Sequence, residues 1–189
     1  MRGVNALNKN LLILTDGSLG DEVNEVAASM GFFGRMEILG DDCLHSVEEL
    51  SGEYSYAFPA FIDGALRERW FQQLKEWAYT IPTLVHRTAV VDSAATYYEG
   101  VVIGSGSKVS ANSVVCCGCL IESDVVVGEG AYIDRFSFVG TGAVIEAHSI
   151  IPAYSAIESG SFVNRNDNLS FEEFVARALS DAHVTCEHK

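Results

Sequence analysis

The chain has 189 residues, 48% of them hydrophobic, and carries 26 acidic against 12 basic side chains, a formal net charge of -14. That length holds one large or two small domains, each with its own core. That charge argues against a phosphate-backbone partner, since nucleic-acid binders cluster Lys and Arg, and against an anionic membrane surface.

Residues 1–9 precede an apolar run of only four residues, Leu11, Leu12, Ile13 and Leu14. Four is too short for a signal-peptide core or a membrane span, so the run reads as a buried strand. Residues 15–20 form a loop. Residues 21–30 carry Val23, Val26 and Ala27 at helical spacing, and Gly31 stands at the C-cap position. Residues 35–39 read as a second strand, ending in Gly40-Asp41-Asp42. Strand, glycine-containing loop and helix N-terminus together make the phosphate cradle of a Rossmann-like unit. Here Gly17-Ser18-Leu19-Gly20 holds two glycines, and Asp16 sets a carboxylate beside them. A plain strand-to-helix turn fits the same residues.

Residues 43–56 read as a short helix around residues 46–50 and a loop. A third strand covers residues 57–62, despite Pro59. Asp63 is a good N-cap for a helix through Leu66, Trp70, Leu74, Trp77 and Ala78. Its aromatics read as core and its Lys, Arg, Glu and Gln as the solvated face. Residues 81–85 lead into His86.

From residue 91 to 163 a six-residue register holds without a break. Val91, Tyr97, Ile103, Val109, Val115, Ile121, Val127, Ile133, Val139, Ile145, Ile151, Ile157 and Val163 form its first column. The fifth column is small almost throughout, with Val101 and Val125 as exceptions. Hexads of this kind predict a left-handed parallel β-helix of about four coils, three hexads to a triangular coil. Positions one and five point inward, and positions three and four turn the corners, where Gly, Asp, Asn and Ser crowd. The residues just before position one point outward. They read Val102, Lys108, Val114, Leu120, Val126, Tyr132, Phe138, Val144, Ile150, Ala156 and Phe162. A bare surface that apolar must be covered. The reading is a symmetric oligomer, a trimer of parallel prisms, with the N-terminal part and a C-terminal helix covering the remainder. That helix opens on Ser170 and Glu173 as a capping box, with Phe171, Phe174, Val175, Ala178 and Leu179 on one stripe. The expected division is therefore 1–85, a Rossmann-like domain, 86–163, the β-helix, and 164–189, helix and tail.

Five cysteines, three of them in Cys116-Cys117-Gly118-Cys119, form no paired framework. They read as free thiols in a reducing cytoplasm. A zinc site does not converge, because Cys119 points into the prism and Cys117 sits at a corner.

Residues 10 to about 163 resemble the bacterial sugar N- and O-acyltransferases of the sialic acid, perosamine and bacillosamine pathways. Two segments carry the resemblance most specifically: Ala60-Phe61-Ile62-Asp63-Gly64-Ala65-Leu66-Arg67 and Thr83-Leu84-Val85-His86-Arg87-Thr88-Ala89-Val90-Val91. The resemblance implies a homotrimer with acetyl-CoA or another acyl-CoA as co-substrate between prisms, at Val126 and Gly142, and no metal. It implies an amino-sugar nucleotide at Gly17, Ser18, Gly20, Asp41, Ile62 and Asp63. It also implies acyl transfer assisted by a corner histidine, since a neutral imidazole is the base matched to neutral pH.

Four departures meet that pattern. The family's aliphatic-aliphatic-Glu-His-acid-Cys reads Val114-Val115-Cys116-Cys117-Gly118-Cys119, so Cys117 takes the histidine's place and Gly118 the acid's. A second family histidine falls on Val126. The loop that should read Gly-x-Gly-Gly-His-Gly reads Thr15-Asp16-Gly17-Ser18-Leu19-Gly20. The chain ends in a helix where the family continues into coils. Stacking by eighteen residues sets Glu99, Cys117 and Arg135 in one column, where Arg135 would lower the Cys117 thiol pKa and Glu99 raise it. A Cys117 nucleophile is one candidate, a plain corner cysteine the other. His148 is expected over Gly130 and Asn112, and His86 to bond at the mouth of the prism. Two functions stay open: a divergent acyltransferase, and a non-catalytic trimeric binding or scaffold protein.

Overall fold

A computed structural model describes residues 8–40 and 46–164. Asp41 and the expected C-terminal helix and tail lie outside the described residues.

The N-terminal layer is a three-stranded parallel sheet with two helices. Strand β1 (Leu11–Thr15) lies in the middle, flanked by β2 (Met36–Leu39) and β3 (Tyr56–Ala60), in the order β2-β1-β3. All five residues of β1 are buried, as a continuous apolar run requires in a central parallel strand. Pro59 is tolerated because β3 is the edge strand of this sheet, and its outer side is bridged only at its start, Tyr56 to Thr80, short of Pro59. Helix α1 (Leu19–Met30) begins two residues before the expected start at residue 21. Leu19 is buried there, and Gly20 allows the helix to close on β1, since a Cβ at Gly20 would meet Thr15 Cγ2 at 2.7 Å. The helix ends on Gly31 in the left-handed conformation, φ 63°. In place of the helix expected at residues 46–50 there is a 3-10 turn, Glu49–Gly52. Asp63 caps α2 (Gly64–Glu76), its Oδ1 accepting from the N–H groups of Ala65 and Leu66 at 2.9 and 3.0 Å.

The buried face of α2 is Gly64, Arg67, Phe71 and Leu74. The expected stripe is Leu66, Trp70, Leu74 and Trp77. Of these only Leu74 is fully buried; Leu66, Trp70 and Trp77 are half-buried, packed against the core on one side and lining a shallow groove on the other. The face turns by one position because an arginine occupies the centre of the packed side.

From β4 (Leu84–Val85) to β17 (Phe162–Val163) the chain makes a left-handed parallel β-helix of two-residue strands. Every third strand pairs in parallel with an eighteen-residue offset. This gives three sheets, the first, second and third faces of the prism: β4-β7-β10-β13-β16, β5-β8-β11-β14-β17 and β6-β9-β12-β15. Leu120, for example, lies over Val102 and under Phe138. The first and fifth hexad columns fill the interior, from Val101 and Ile103 through Cys119, Val125 and Ala131 to Ile151. At the lower end Tyr97 is an exception, 44% exposed.

The N-terminal layer covers the first face. Val102, Leu120 and Phe138 are buried there in the same cluster as Val23, Val26, Phe71 and Leu74. The outer residues of the other two faces are not covered in this way. Val114, Val126, Tyr132, Val144 and Ile150 are half-buried, and Val90 and Phe162 are 61% and 62% exposed.

Candidate functional site

Two places concentrate the expected site residues. The first is the carboxyl end of β1 and β3. The order β2-β1-β3 makes the gap between these strands a switch point, where open parallel sheets bind ligands. Gly17, Ser18, Ile62 and Asp63 all stand on the two loops that leave there. Ile62 is 52% exposed. The cradle is partly filled from within: Thr15 Oγ1 accepts from the Gly17 N–H at 3.1 Å and donates to the Gly17 carbonyl at 2.9 Å. Gly20 is buried against Thr15 and Ile38 and serves packing. Asp63 is occupied as the cap of α2.

The second place is the prism edge between the third and first faces. Glu99, Cys117 and Arg135 do stack there, joined by backbone bonds from Gly118 N to Glu99 O and from Phe136 N to Cys117 O, both 3.0 Å. The residue after each is Gly100, Gly118 or Phe136, all with positive φ, the corner geometry that glycine adopts without cost. Phe136 takes it as a bulky residue, φ 53°, and fills the space above Gly118.

Helix α2 lies along this edge and closes it. Lys75 Nζ pairs with Glu99 at 2.6 Å. Phe71 meets the Phe136 ring edge-on, centroids 5.4 Å apart, and Phe136 stacks on Tyr154 at 6.1 Å. Tyr154 Oη donates to Glu68 at 2.9 Å and accepts from Arg135 Nε at 3.3 Å. The Arg67 guanidinium, wholly buried, donates to five carbonyls: Gly118 at 2.8 Å, Ile62 at 3.2 Å, Ser137 at 3.0 Å, and Phe61 and Phe136. Burial lowers its pKa to about 10, so it remains a cation at neutral pH.

Cys117 is 5% exposed and disulfide-bonded. This corrects the free-thiol expectation at that position. Cys116 and Cys119 are free. Burial pushes the Cys116 thiol up to about 11, its Sγ 3.1 Å from Tyr132 Oη, and pushes Cys119 up further. Neither is a thiolate at neutral pH, and the thiolate is the reactive form.

Val126 lies on the second face, and Gly142 stands at the corner that leads into it, two residues before Val144, the partner of Val126. That face is on the other side of the prism from the Cys117 edge. His148 lies over Gly130, as expected, at the edge between the second and third faces. His86 is buried at the mouth of the prism, with its Nδ1 accepting from Thr88 N at 3.2 Å. Among the described residues no three His, Cys, Asp or Glu side chains are placed to hold a metal ion. No described helix is long and apolar enough to cross a membrane.

Sequence reasoning does not single out Arg67 and Phe136 as residues that shape the site. The signal for Arg67 is its spacing with Phe71 and Leu74, which puts a cation in the middle of an apolar stripe.

No protein-family model matches the chain, and no curated protein matches it. Solved structures do. One is a single-residue variant of the perosamine N-acetyltransferase of Caulobacter crescentus, in complex with CoA and GDP-perosamine. It is 20% identical over 82% of this chain and 89% of that one, with a TM-score of 0.71. Another structure of a Caulobacter crescentus protein with CoA and GDP-perosamine, at the same identity and coverage, gives 0.65. The acetyltransferase domain of PglB from Neisseria gonorrhoeae, in complex with acetyl coenzyme A, is 22% identical over 82% and 96% of the two chains, with a TM-score of 0.54. The chain has the fold of these sugar acetyltransferases.

Proposed function

We propose that the chain is an acyl-CoA-dependent acyltransferase that modifies the amine or hydroxyl of a nucleotide-linked sugar, working as a homotrimer. The observation that carries this reading is the extent of the likeness. The match to a protein bound to CoA and GDP-perosamine spans 82% of the chain, so it takes in both the parallel sheet and the prism.

In this reading a Rossmann-like N-terminal subdomain receives the sugar nucleotide at the loops carrying Gly17, Ser18, Ile62 and Asp63. The acyl-CoA lies along the second face, against Val126 and Gly142. That face and the Cys117 edge are on different sides of one prism, so a site using both draws on two copies. The half-buried apolar residues of the second and third faces support such an assembly. Sedimentation at micromolar concentration is expected to give a trimer, and a monomer would overturn this part.

A second reading is a catalytically inactive trimeric binding or scaffold protein. One observation favours it: Cys117, in the histidine's place, is buried, disulfide-bonded and closed over by α2. A sulfur so engaged neither accepts a proton nor attacks a thioester. Isothermal titration of the oligomer with acetyl-CoA, with and without reductant and with a panel of nucleotide sugars, separates the two. Micromolar CoA binding supports the acyltransferase, and turnover that appears only with reductant and is lost in Cys117→Ala would assign the sulfur a role. Absence of CoA binding at millimolar ligand leaves the binding or scaffold protein.

A further inference from the structure

The disulfide at Cys117 needs a second sulfur. The chain holds five cysteines, at positions 43, 116, 117, 119 and 186. Cys116 and Cys119 are free. Cys117 is 5% exposed within its own chain, so no second copy reaches it. The partner is therefore Cys43 or Cys186, and both lie outside the described residues.

The surroundings of Cys117 choose between them. Its side chain does not join the interior of the prism. It belongs to the buried cluster of the N-terminal layer, with Leu39, Val47, Phe71 and Tyr79. Leu39 and Val47 stand four positions to either side of Cys43. Both are buried, and the Val47 carbonyl accepts from Tyr79 Oη at 2.6 Å. Four residues span at most about 14 Å, so a chain tied at both ends into this cluster keeps Cys43 near Cys117. Cys186 has no such tie: among the described residues the cluster holds nothing past Phe138.

We propose that Cys43 and Cys117 form a redox-operated tether between the connection that follows β2 and the prism edge where α2 docks. The fold does not need the bond, since Arg67 and the rings of Phe71 and Phe136 hold the same edge without it. Its reductant is a dithiol. One thiolate of the reductant attacks the Cys43 sulfur, because Cys117 is shielded, and Cys117 leaves and takes a proton. The second thiol then displaces Cys43. Two electrons pass to the pair, both cysteines end as thiols, and the reductant ends as a disulfide. Oxidised, the tether blocks the sulfur that stands in the histidine's place. It also holds the connection that carries Asp41, and only the meaning of this for a sugar nucleotide rests on the acyltransferase reading.

Peptide mapping of the air-oxidised full chain, alkylated before digestion, is expected to give a peptide joined through Cys43 and Cys117, with the other three cysteines alkylated. A bond from Cys117 to Cys186, or five alkylated cysteines, would overturn the tether. Limited proteolysis by an enzyme without disulfides of its own reads the switching. Cleavage between residues 40 and 48 is expected to speed up about tenfold when a dithiol is added at neutral pH, while residues 84–163 stay uncut. Cys43→Ser is expected to be cut at the faster rate with or without dithiol. Equal cleavage of the wild type in both states would overturn the proposal. So would cleavage that spreads into the prism on reduction, which marks a bond that holds the fold. The wild type alone decides if the variant does not fold.

Discussion

The N-terminal layer meets the prism along two edges of one sheet, and the two joints are made of opposite materials. At the α2 joint a buried guanidinium binds five carbonyls, and three aromatic rings fill the space around it. At the α1 joint two acidic side chains face each other across a cleft. The first joint has every donor placed on an acceptor and no room to shift.

The contrast is sharpened or broken by substitution. The largest effect is expected at Arg67. Arg67→Met leaves the buried carbonyls of Phe61, Gly118 and Phe136 without this donor at about 1–3 kcal/mol each, while Ser137 keeps the Leu120 N–H, so a loss above about 3 kcal/mol is expected in urea unfolding. Arg67→Lys is expected to rescue little, because one ammonium cannot reproduce the fork. A loss under about 1 kcal/mol would mean the guanidinium is not what fastens α2.

Phe136 comes next. Removing its ring is expected to cost about 3–5 kcal/mol in Phe136→Ala. Phe136→Gly loses the same ring but gains a residue at ease with φ 53°, so it is expected to be the more stable of the two by about 1 kcal/mol. The opposite order would show that the left-handed corner is not strained.

Gly118 and Gly142 then compare a closed edge with an open one at matched geometry. Their φ values are 67° and 69°. A Cβ at Gly118 would overlap the Phe136 ring, whereas one at Gly142 meets nothing within 4 Å. Both alanine variants carry the backbone strain, and Gly118→Ala alone is expected to add about 1–3 kcal/mol of overpacking. The melting temperatures of the two variants measure the difference.

The smallest effect is expected at Lys75→Met. Its pair with Glu99 is partly exposed, and such pairs contribute about 0.2–1 kcal/mol. The loss should shrink in high salt.

Most of the prism was legible because its rule is local. A hexad repeats its own address, so Ile103, Val109 and Val115 each report an inward position without reference to the rest of the chain. The helix cap at Asp63 and the stop at Gly31 were legible for the same reason. The site was less so. The stacking of Glu99, Cys117 and Arg135 follows from the eighteen-residue offset. Their partners Lys75 and Tyr154 depend on where α2 docks, and no periodicity states that. Arg67 reads as a surface cation on a helix until the carbonyls of Gly118, Phe136 and Ser137 are brought to it from fifty and more residues away. Glu22 and Glu122, a hundred residues apart, likewise carry no mark of each other.

The course of α2 along its edge has a consequence for how the molecule comes apart. Coils stacked one on another interact only with their neighbours, and such arrays can fray from an end, one repeat at a time. Helix α2 touches four successive coils, at Glu99, Gly118, Phe136 and Tyr154. It acts as a splint across the stack: losing one coil strips the helix of a contact that helps hold the other three. The β-helix, linear in construction, should therefore melt as a single cooperative unit, and a chain lacking the splint should melt in steps.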